Sequence, residues 1–389
     1  MKNFYSASLQ KQKEQNLYRK LVECDVLDAV TIKLGKKNLI SFASNDYFGL
    51  SQNQQVRKAA IVAIKKYGVG SGASRYVSGN NSLYSKLEKH LSQIKFCEDA
   101  IVFSSGYACA IGVIPALVGE GDLIVADRLI HSSLIDGAKL SGAKLMRFLH
   151  NDVTHAKKIL QENRSKFKKC IIITETVFSM DGDLGKIDEL LKLAQKFDAI
   201  LVSDDAHGLF SKTNCHVERS ETSQHVSRDH STTLWDHRLV IMGTLSKAIG
   251  AVGGYVAGDK IIIDYLRNFA KSQIYSTALP PAILASAIEA LKIIKKKNLA
   301  QKTLSNAKYF CELMNLPQPQ SAIIPIIIGD AKQTLNIAKK LEEKGFLVGA
   351  IRYPTVEKNK ARLRITFSSE HKKSQIEKLA KDLVGLLKN

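Results

Sequence analysis

Short, continuous apolar runs alternate with longer amphipathic stretches through the middle of the chain. Runs that are apolar at successive positions, rather than at every second one, are typical of strands buried on both faces of a sheet. They predict strands at residues 123–126, 145–148, 170–174, 199–203, 239–242 and 255–257. Between two of these runs, Ile187, Leu190 and Ala194 share one face of a helix predicted over 185–197. This alternation predicts an α/β domain with a large, mostly parallel sheet.

The C-terminal part of the chain has a different pattern, which predicts a smaller α+β domain. Pro280 and Pro281 suit the start of a long helix. The elements predicted here are helices over 281–297, 331–344 and 373–387 and strands over 323–328 and 362–367. The N-terminal residues predict a helical arm that ends in a short strand over 39–42. The predicted domains are therefore an N-terminal helical arm (1–45), a large domain (46–280) and a small C-terminal domain (281–389).

Residues 213–237 follow neither the helical nor the strand period. The stretch is polar and holds His216, His225, His230 and His237. A His-rich tract can bind metal, but no pair in this tract has the spacing and acidic company of a known metal site. The pattern predicts a surface loop inserted into the large domain, and no metal site.

The composition is that of an ordinary globular protein. The chain has 389 residues, of which 45% are hydrophobic and 24% charged, and these values exclude collagen-like and disordered classes. No apolar run approaches 18 residues, so no membrane-spanning helix is predicted. The six cysteines form no C-x-x-C pair, which argues against a disulfide framework or a zinc site. Because the N-terminus lacks a signal-peptide pattern, we expect a cytoplasmic protein.

The formal net charge of +20 is the unusual part of the composition. A basic surface can attract nucleic acid, an anionic membrane or an anionic substrate. Lysines spread along helix-like stretches usually form a solvated face, and we find no interleaving of basic and aromatic residues. We therefore expect neither nucleic acid nor membrane as a partner. A solvated surface or a polyanionic substrate such as a coenzyme A thioester explains the charge, and a nucleic-acid-binding protein is the alternative from a different class.

Two strand exits carry the most informative side chains. One predicted strand runs into Asp204, Asp205 and His207, and ligands of α/β sheets bind at the carboxyl ends of strands. The simpler alternative is an aspartate that caps a helix beside a loop histidine. Another predicted strand runs into Thr244 and Lys247 among small residues. Partial desolvation at such a position favours the neutral amine of a lysine, which can form a Schiff base with a carbonyl.

Three further strand exits add groups that could surround the same ligand. One predicted strand is followed by Ser-Gly and then by a helix that begins near Gly106 and Tyr107. The start of such a helix has free backbone N–H groups, which can bind a phosphate. His131 follows another strand and could stack on an aromatic ring, and Ser179 follows a third. Each signal alone is weak, because structural loops contain the same residues. Together, a lysine, a carboxylate, two histidines, hydroxyls and an amide nest match the needs of one cofactor, pyridoxal 5′-phosphate.

Five motifs, in order along the chain, resemble the α-oxoamine synthase family. They are SNDYFGLS (44–51), GSGASRYVSGN (70–80), TETVFSMDGD (174–183), DDAHG (204–208) and GTLSKAIG (243–250). The resemblance covers nearly the whole chain. It implies an α/β, fold-type I PLP-dependent transferase, with a large, mostly parallel sheet domain and a smaller α+β C-terminal domain. It also implies an enzyme that uses pyridoxal phosphate to condense an amino acid with an acyl thioester.

The resemblance further implies roles for the residues at matching positions. Lys247 would carry the cofactor, and Asp204 would pair with its ring nitrogen. His131 would stack on the ring, and His207 would hydrogen-bond the ring's 3-oxygen. The remaining cofactor-binding positions would be Gly106, Tyr107, Ser179, Thr244 and Thr277. The substrates would be bound by Arg19, Asn45, Thr355 and Arg364, with Arg364 as the clamp of the amino-acid carboxylate.

The resemblance also bears on assembly and on the substrates. YSTALPP (275–281), which contains Thr277, is similar to a segment that reaches into the neighbouring subunit, so a homodimer is implied. The segments at 147–155 and 350–371 are most similar to the branch that condenses L-alanine with a pimeloyl thioester in biotin biosynthesis, releasing CO₂ and the free thiol. The thiol could belong to coenzyme A or to a carrier protein. Glycine C-acetyltransferase, 5-aminolevulinate synthase and serine palmitoyltransferase share the chemistry and remain alternatives.

In one place the chain departs from the family pattern. The Gly-rich run that follows DDAHG in the family is absent, and residues 213–237 stand where it would be. The matching positions Asp204, His207 and Lys247 are kept.

Overall fold

The computed structural model describes residues 2–15, 17–208 and 236–388. The insertion predicted at 213–237 lies outside these residues, except for Asp236 and His237. The chain divides into two compact units. Unit 1 comprises Met1–Gly49, Ser179–Gly182 and Leu299–Asn389, and unit 2 comprises Leu50–Phe178 and Asp183–Asn298. The domain boundaries that the sequence predicts near residues 45 and 280 stay a prediction.

Strands and helices follow one another along both units. The strands of the described residues are β1 (Cys24–Val26), β2 (Thr31–Leu34), β3 (Lys37–Phe42), β4 (Asp99–Phe103), β5 (Leu123–Asp127), β6 (Lys144–Phe148), β7 (Cys170–Glu175), β8 (Ile200–Asp204), β9 (Leu239–Thr244), β10 (Gly254–Gly258), β11 (Ile323–Gly329), β12 (Phe346–Ile351) and β13 (Ala361–Thr366). The helices are α1 (Lys2–Glu14), α2 (Gln54–Tyr67), α3 (Ser82–Lys95), α4 (Gly106–Leu117), α5 (Ser132–Ser141), α6 (Val153–Asn163), α7 (Ile187–Lys196), α8 (Lys260–Phe269), α9 (Lys271–Ile274), α10 (Pro281–Lys296), α11 (Leu299–Leu313), α12 (Ala331–Glu343) and α13 (Lys373–Leu387).

Unit 2 is built on a sheet with the strand order β4-β10-β9-β8-β7-β5-β6. β10 runs antiparallel to both of its neighbours, while β9, β8, β7, β5 and β6 run parallel to one another. The mostly parallel sheet predicted from the apolar runs is therefore confirmed.

Both faces of this sheet are covered, which explains why its strands are apolar at successive positions. In β7, Ile171 and Ile173 pack into a core with α4, α5 and α8. Cys170 and Ile172, which point to the opposite face, pack into a second core with α6 and α7. Because successive side chains of a strand alternate between faces, each run supplies two hydrophobic layers.

Unit 1 contains a second sheet, with the strand order β1-β2-β3-β12-β13-β11. β3 and β12 are parallel, and the other pairs are antiparallel. Its core combines apolar residues of these strands with residues of α11, α12 and α13, including Phe42, Phe310, Phe346 and Phe367. On β13, Leu363 and Ile365 join this core, so Arg362, Arg364 and Thr366 line the other face of the strand.

The helices and strands predicted from the pattern agree with the structure to within two residues at each end. The pattern does not predict β1, β2 or β12, nor the helices α2, α3, α5, α6, α8, α9 and α11. β1 and β2 lie where the sequence predicted a helical arm, so that part of the prediction is wrong beyond α1. All three residues of β1 are exposed, so this strand has no apolar periodicity that would distinguish it from a loop. β12 contains Gly349, and a glycine inside a short strand weakens its sequence signal. In the described part of the chain, no helix combines the length and apolar character needed to span a membrane.

Candidate active site

The polar side chains singled out in the sequence follow the carboxyl ends of neighbouring strands in unit 2. β8 ends at Asp204 and β9 at Thr244, and these two strands pair in parallel. β5, which lies on the other side of β7 in the same sheet, leads into the loop that carries His131. Parallel strands end at the same edge of a sheet, and this edge is where α/β proteins bind their ligands.

Lys247 and His207 meet at this edge. Nζ of Lys247 lies 2.7 Å from Nε2 of His207, and the His207 side chain is buried. The turn that carries Lys247 is closed by hydrogen bonds from the Gly250 N–H to the Lys247 carbonyl and from the Ala251 N–H to the Leu245 carbonyl. Gly250 has a φ of +72°, and a Cβ there would lie 2.5 Å from the backbone nitrogen of Ser51. The backbone therefore presents the lysine in a restricted geometry that needs glycine nearby.

Asp204, at the end of β8, is half-buried in a site that penalises its negative charge. Burial raises the pKa of Asp204 above its ordinary value, while Lys247, the N–H of Ala206 and His131 act in the opposite direction. The Ala206 N–H donates to Oδ1 of Asp204 at 2.9 Å. A partly desolvated carboxylate of this kind gains from any cation placed beside it.

His131 is held in place by its role as the N-cap of α5. Its Nδ1 accepts from the backbone N–H of Ser133 at 3.3 Å and lies 2.8 Å from the Ser133 hydroxyl oxygen. Desolvation lowers the pKa of His131, Asp204 raises it, and Lys247 lowers it again. The contacts of Nδ1 therefore fix the orientation of the His131 ring, and the lowered pKa favours its neutral form. A neutral ring in a fixed orientation suits a side chain that stacks on a flat cofactor.

Gly106 opens α4 at the same edge. Oγ of the N-cap residue Ser105 accepts from the Ala108 N–H at 3.0 Å, so the N–H groups of the first helical turn point along the helix axis towards an incoming anion. An added Cβ at Gly254 would lie 2.4 Å from the Ser105 carbonyl oxygen and 2.9 Å from the Gly106 nitrogen. Only glycine lets β10 pass this close to the start of α4.

Tyr107 and Thr244 lie beside this helix start but are engaged in other contacts. The Tyr107 hydroxyl donates to Oδ2 of Asp136 at 2.7 Å. The Thr244 hydroxyl donates to the Gly253 carbonyl at 2.9 Å, and it lies 2.7 Å from the hydroxyl of Ser246. The exposed Ser246 is therefore placed beside the predicted phosphate-binding residues, although the family pattern does not single it out.

Thr277 is exposed on unit 2. It forms an isolated antiparallel bridge with Ser74, and the Ala278 N–H donates to the Ala73 carbonyl at 2.9 Å. Tyr275, two residues earlier, is 81% exposed. The segment is thus anchored by its backbone, while the side chains of Tyr275 and Thr277 are exposed.

The predicted carboxylate clamp lies in unit 1. Arg364, buried on β13, donates from Nε to the Ser179 carbonyl at 2.6 Å and from Nη1 to Oδ1 of Asn45 at 3.1 Å. Oδ1 of Asn45 also accepts from the hydroxyl of Tyr47 at 3.3 Å. Burial raises the pKa of Tyr47 to about 12, although Arg364 acts to lower it. Three predicted site residues, Asn45, Ser179 and Arg364, are thereby brought together, and Ser179 contributes its carbonyl rather than its hydroxyl.

Arg19 and Thr355, the two predicted acyl-substrate positions, also meet in unit 1. Nη2 of Arg19 donates to the Thr355 hydroxyl oxygen at 3.3 Å, although 336 positions separate them in the sequence. The neighbouring Arg352 donates to the Tyr18 carbonyl at 3.2 Å, so a second contact joins the same two segments. Both predicted residues are exposed, and the guanidinium of Arg19 is accessible to a ligand.

A charge cluster, in which Asp127 is buried and His150 and Asp183 are half-buried, supports the loop that leads to His131. Nδ1 of His150 lies 3.1 Å from Oδ1 of Asp127, and Nε2 lies 2.9 Å from Oδ2 of Asp183. Oδ1 of Asp127 also accepts from the Leu129 N–H at 2.8 Å. Burial lowers the pKa of His150, but the hydrogen bonds to the two carboxylates outweigh this effect and raise it to about 10. His150 is therefore the cation that holds two carboxylates together.

Replacing His150 with glutamine should destabilise the protein in a pH-dependent way. A histidine whose pKa rises on folding stabilises fully below its unfolded pKa of about 6.5, and loses this contribution as the pH rises towards its folded value. We expect His150→Gln to lower the free energy of unfolding by about 1–3 kcal/mol at pH 6.5, and the difference from the wild type to shrink between pH 6.5 and 10. Thermal unfolding across this range measures it. His155→Gln in the same segment is the control, and an unchanged difference at pH 10 would contradict the role of His150.

Besides Ser246 and the His150 cluster, the structure adds Lys95, which the sequence analysis did not single out. Lys95, the last residue of α3, is buried and forms an ion pair with Asp205. A single lysine in a lysine-rich chain carries no obvious signal. The spacing of Lys95 is the signal that could have identified it. Leu87, Leu91 and Lys95 repeat every four residues, and all three are buried on one face of α3.

The side chains at the carboxyl edge of unit 2 fit pyridoxal phosphate in their chemistry. A lysine amine, a half-buried carboxylate, an oriented imidazole and the start of a helix lie at the same edge of one sheet. They correspond to a carbonyl-reactive group, a partner for a cationic ring nitrogen, a stacking ring and a phosphate-binding helix terminus. In the described residues, no group of three or more His, Cys, Asp and Glu side chains is placed to hold a metal ion.

Comparison with known proteins agrees with this assignment. A sequence profile of aminotransferases of class I and II matches residues 37–383. An 8-amino-7-oxononanoate synthase from Methylobacterium nodulans is 40% identical over 384 residues, which are 98% of this chain and 96% of that protein. The match spans both units.

Two solved structures share the fold. The serine palmitoyltransferase of Sphingomonas wittichii is 26% identical, with a TM-score of 0.87 over 98% of this chain and 96% of its own. The 8-amino-7-oxononanoate synthase of Francisella tularensis is 28% identical, with a TM-score of 0.72 over 90% of this chain and 98% of its own. The predicted fold class, an α/β fold-type I transferase, is confirmed, and so is the family resemblance. The chain belongs to the aminotransferase class I and II family, in the branch that includes the 8-amino-7-oxononanoate synthases.

Proposed function

We propose that the protein uses pyridoxal 5′-phosphate to condense L-alanine with a pimeloyl thioester, giving 8-amino-7-oxononanoate, CO₂ and the free thiol. The observation that carries this proposal is the contact of Lys247 with His207 at the sheet edge where Asp204 ends β8. The similarity to the Methylobacterium nodulans synthase supports the choice of substrates. The reaction belongs to biotin biosynthesis.

Each part of the cofactor has a matching group in unit 2. Lys247 would hold it through Nζ, Asp204 would pair with its ring nitrogen, and His131 would lie against its ring. The N–H groups at Gly106 and Tyr107 would bind its phosphate at the start of α4. When bound, the cofactor supplies an electron sink for a carbanion at the amino-acid Cα.

Lys247 and His207 are suited to proton transfer. A lysine released from the cofactor is a general base when its amine is neutral, and His207 at 2.7 Å gives Nζ a partner within hydrogen-bonding distance. The burial of His207 restricts the access of water to this pair. We infer that Lys247 Nζ removes the Cα proton of alanine and that His207 orients Nζ for this step.

Arg364 would bind the carboxylate of the amino acid. A guanidinium presents donors in a fork that matches a carboxylate. The bonds from Nε to the Ser179 carbonyl and from Nη1 to Asn45 fix the plane of this fork. The burial of Arg364 strengthens its interaction with an anion.

Arg19 would distinguish the acyl chain. A pimeloyl chain ends in a carboxylate, whereas octanoyl and palmitoyl chains end in a methyl group. The guanidinium of Arg19, placed by its bond to Thr355, supplies the cation that a terminal carboxylate needs. This cation favours the pimeloyl thioester over the long apolar substrate of a serine palmitoyltransferase.

We also propose that the enzyme is a cytoplasmic homodimer in which Thr277 contributes to the site of the neighbouring subunit. The exposure of Thr277 and Tyr275, together with the backbone anchoring of their segment, supports this assignment. A side chain that faces away from its own unit is free to contact another copy of the chain.

A substrate panel tests the proposed function. We expect alanine with pimeloyl thioester to give the highest kcat/KM among alanine, glycine and serine paired with pimeloyl, octanoyl and palmitoyl thioesters. Losing one charge-assisted contact costs about 1.5–3 kcal/mol, so Arg19→Met should lower the preference for pimeloyl over octanoyl thioester roughly 10- to 100-fold. Lys20→Met, which removes the neighbouring exposed cation, is the control. A preference of the wild type for serine with palmitoyl thioester would replace the proposal with serine palmitoyltransferase activity.

A further inference from the structure

Two adjacent carboxylates end β8 and lie in different surroundings. Oδ1 of Asp204 accepts from the Ala206 N–H at 2.9 Å. Asp205 follows it, donates its N–H to the Met242 carbonyl at 2.6 Å and is only 3% exposed. A buried carboxylate next to a functional one is costly, because each negative charge disfavours the other. The structure must therefore neutralise Asp205.

Lys95 supplies the neutralising charge. Its Nζ forms an ion pair with Oδ2 of Asp205, and the two side chains are 0% and 1% exposed. The chain also turns tightly around this carboxylate, because a Cβ added at Gly208 would lie 2.1 Å from Oδ1 of Asp205. A buried ammonium and a buried carboxylate are each strongly unfavourable alone. The burial of Lys95 at the end of α3 is thus tied to the presence of Asp205.

The charge of Asp205 acts on Asp204. Burial is the main reason that the pKa of Asp204 is raised, and the neighbouring Asp205 raises it further. Lys247 and His131 face Asp204 and act in the opposite direction. Among the residues that the structure describes, the other titratable groups near the two carboxylates are Glu175 on β7, Tyr255 on β10, Cys109 on α4, Cys97 after α3 and His207 after β8.

We propose that Lys95 is a positioning residue whose ammonium offsets the charge of Asp205 and thereby keeps Asp204 anionic for the ring nitrogen of the cofactor. This inference rests on the proposed role of Asp204. The side chain of Lys95 is fully buried against Asp205, so it would act on the cofactor only through the pair of carboxylates. The alternative, that the ion pair merely fills space in the core, predicts no effect of charge on Asp204.

Charge-changing variants separate these two possibilities. Lys95→Met removes the cation of the pair, whereas Asp205→Asn removes its anion. The affinity for pyridoxal phosphate is measured by absorbance titration between pH 5 and 9 without substrates. The acid limb is the pH range in which this affinity falls as the pH is lowered. We expect the acid limb to lie about one pH unit higher in Lys95→Met than in the wild type, and lower by a similar amount in Asp205→Asn. The double variant should return it close to the wild-type position.

The same measurements contain the outcomes that would overturn the proposal. Shifts in the same direction for both single variants, or a double variant that does not restore the acid limb, would show that the pair acts through packing alone. Lys89→Met changes an exposed lysine on the same helix and should leave the acid limb in place. If Lys95→Met does not fold, Asp205→Asn and the double variant still decide the question. A wild-type protein that does not bind pyridoxal phosphate would instead contradict the proposed function.

Discussion

Replacing Lys247 with alanine should abolish turnover and the absorbance of the bound cofactor together. Lys247 is proposed both to carry the cofactor and to move the Cα proton, so its loss removes two functions at once. We expect kcat/KM to fall at least about 10⁴-fold, which corresponds to ~5 kcal/mol of transition-state stabilisation. Absorbance spectra of the purified protein and a product assay measure the two effects.

Chemical trapping identifies the lysine directly. Borohydride reduction of the wild type followed by peptide mass spectrometry should place the cofactor on Lys247. Lys260→Ala, a change at an exposed lysine of unit 2, is the matched control and should keep both colour and activity. A Lys247→Ala protein that still shows a reducible yellow band on another lysine would remove Lys247 from this role.

Replacing Asp204 with asparagine should preserve the fold while slowing proton abstraction at the amino-acid Cα. Asparagine has nearly the same shape, and its side-chain oxygen can still accept from the Ala206 N–H that bonds Asp204 at 2.9 Å. It carries no negative charge, so it cannot hold a proton on the ring nitrogen, and a neutral ring is a weaker electron sink. We expect the loss in kcat/KM to be at least about 10³-fold, or ~4 kcal/mol.

Hydrogen exchange at the alanine Cα isolates this step. The exchange rate in deuterated water, followed by NMR without acyl thioester, should fall in Asp204→Asn as much as turnover does. The thermal unfolding of the cofactor-free variant is the control for its fold. Exchange at the wild-type rate would mean that Asp204 does not control the ring nitrogen.

The local patterns of the sequence determine most of the fold. Strands covered on both faces must be apolar at successive positions, so β5, β7, β8 and β9 are recognisable without a structure. The exits of these strands then indicate where Asp204, His131 and Lys247 lie, because parallel strands present their carboxyl ends at one edge. A strand whose side chains are exposed, such as β1, has no apolar run, so the hydrophobic pattern does not predict it.

The contacts between distant residues are decided by the tertiary structure. The hydrophobic period of a helix or strand indicates which of its faces is buried. It does not identify the residues of other elements that pack against this face. Arg19 meets Thr355 across 336 positions, and Lys95 meets Asp205 across 110. Charge states depend on such contacts, since the pKa of His150 is set by carboxylates on two other segments. The sequence by itself therefore determined the parallel strands of the sheet, the helix α7 between two of them and the residue types at its functional edge. Only the folded chain decided which charges are buried together, because burial and pairing arise from packing between elements far apart in sequence.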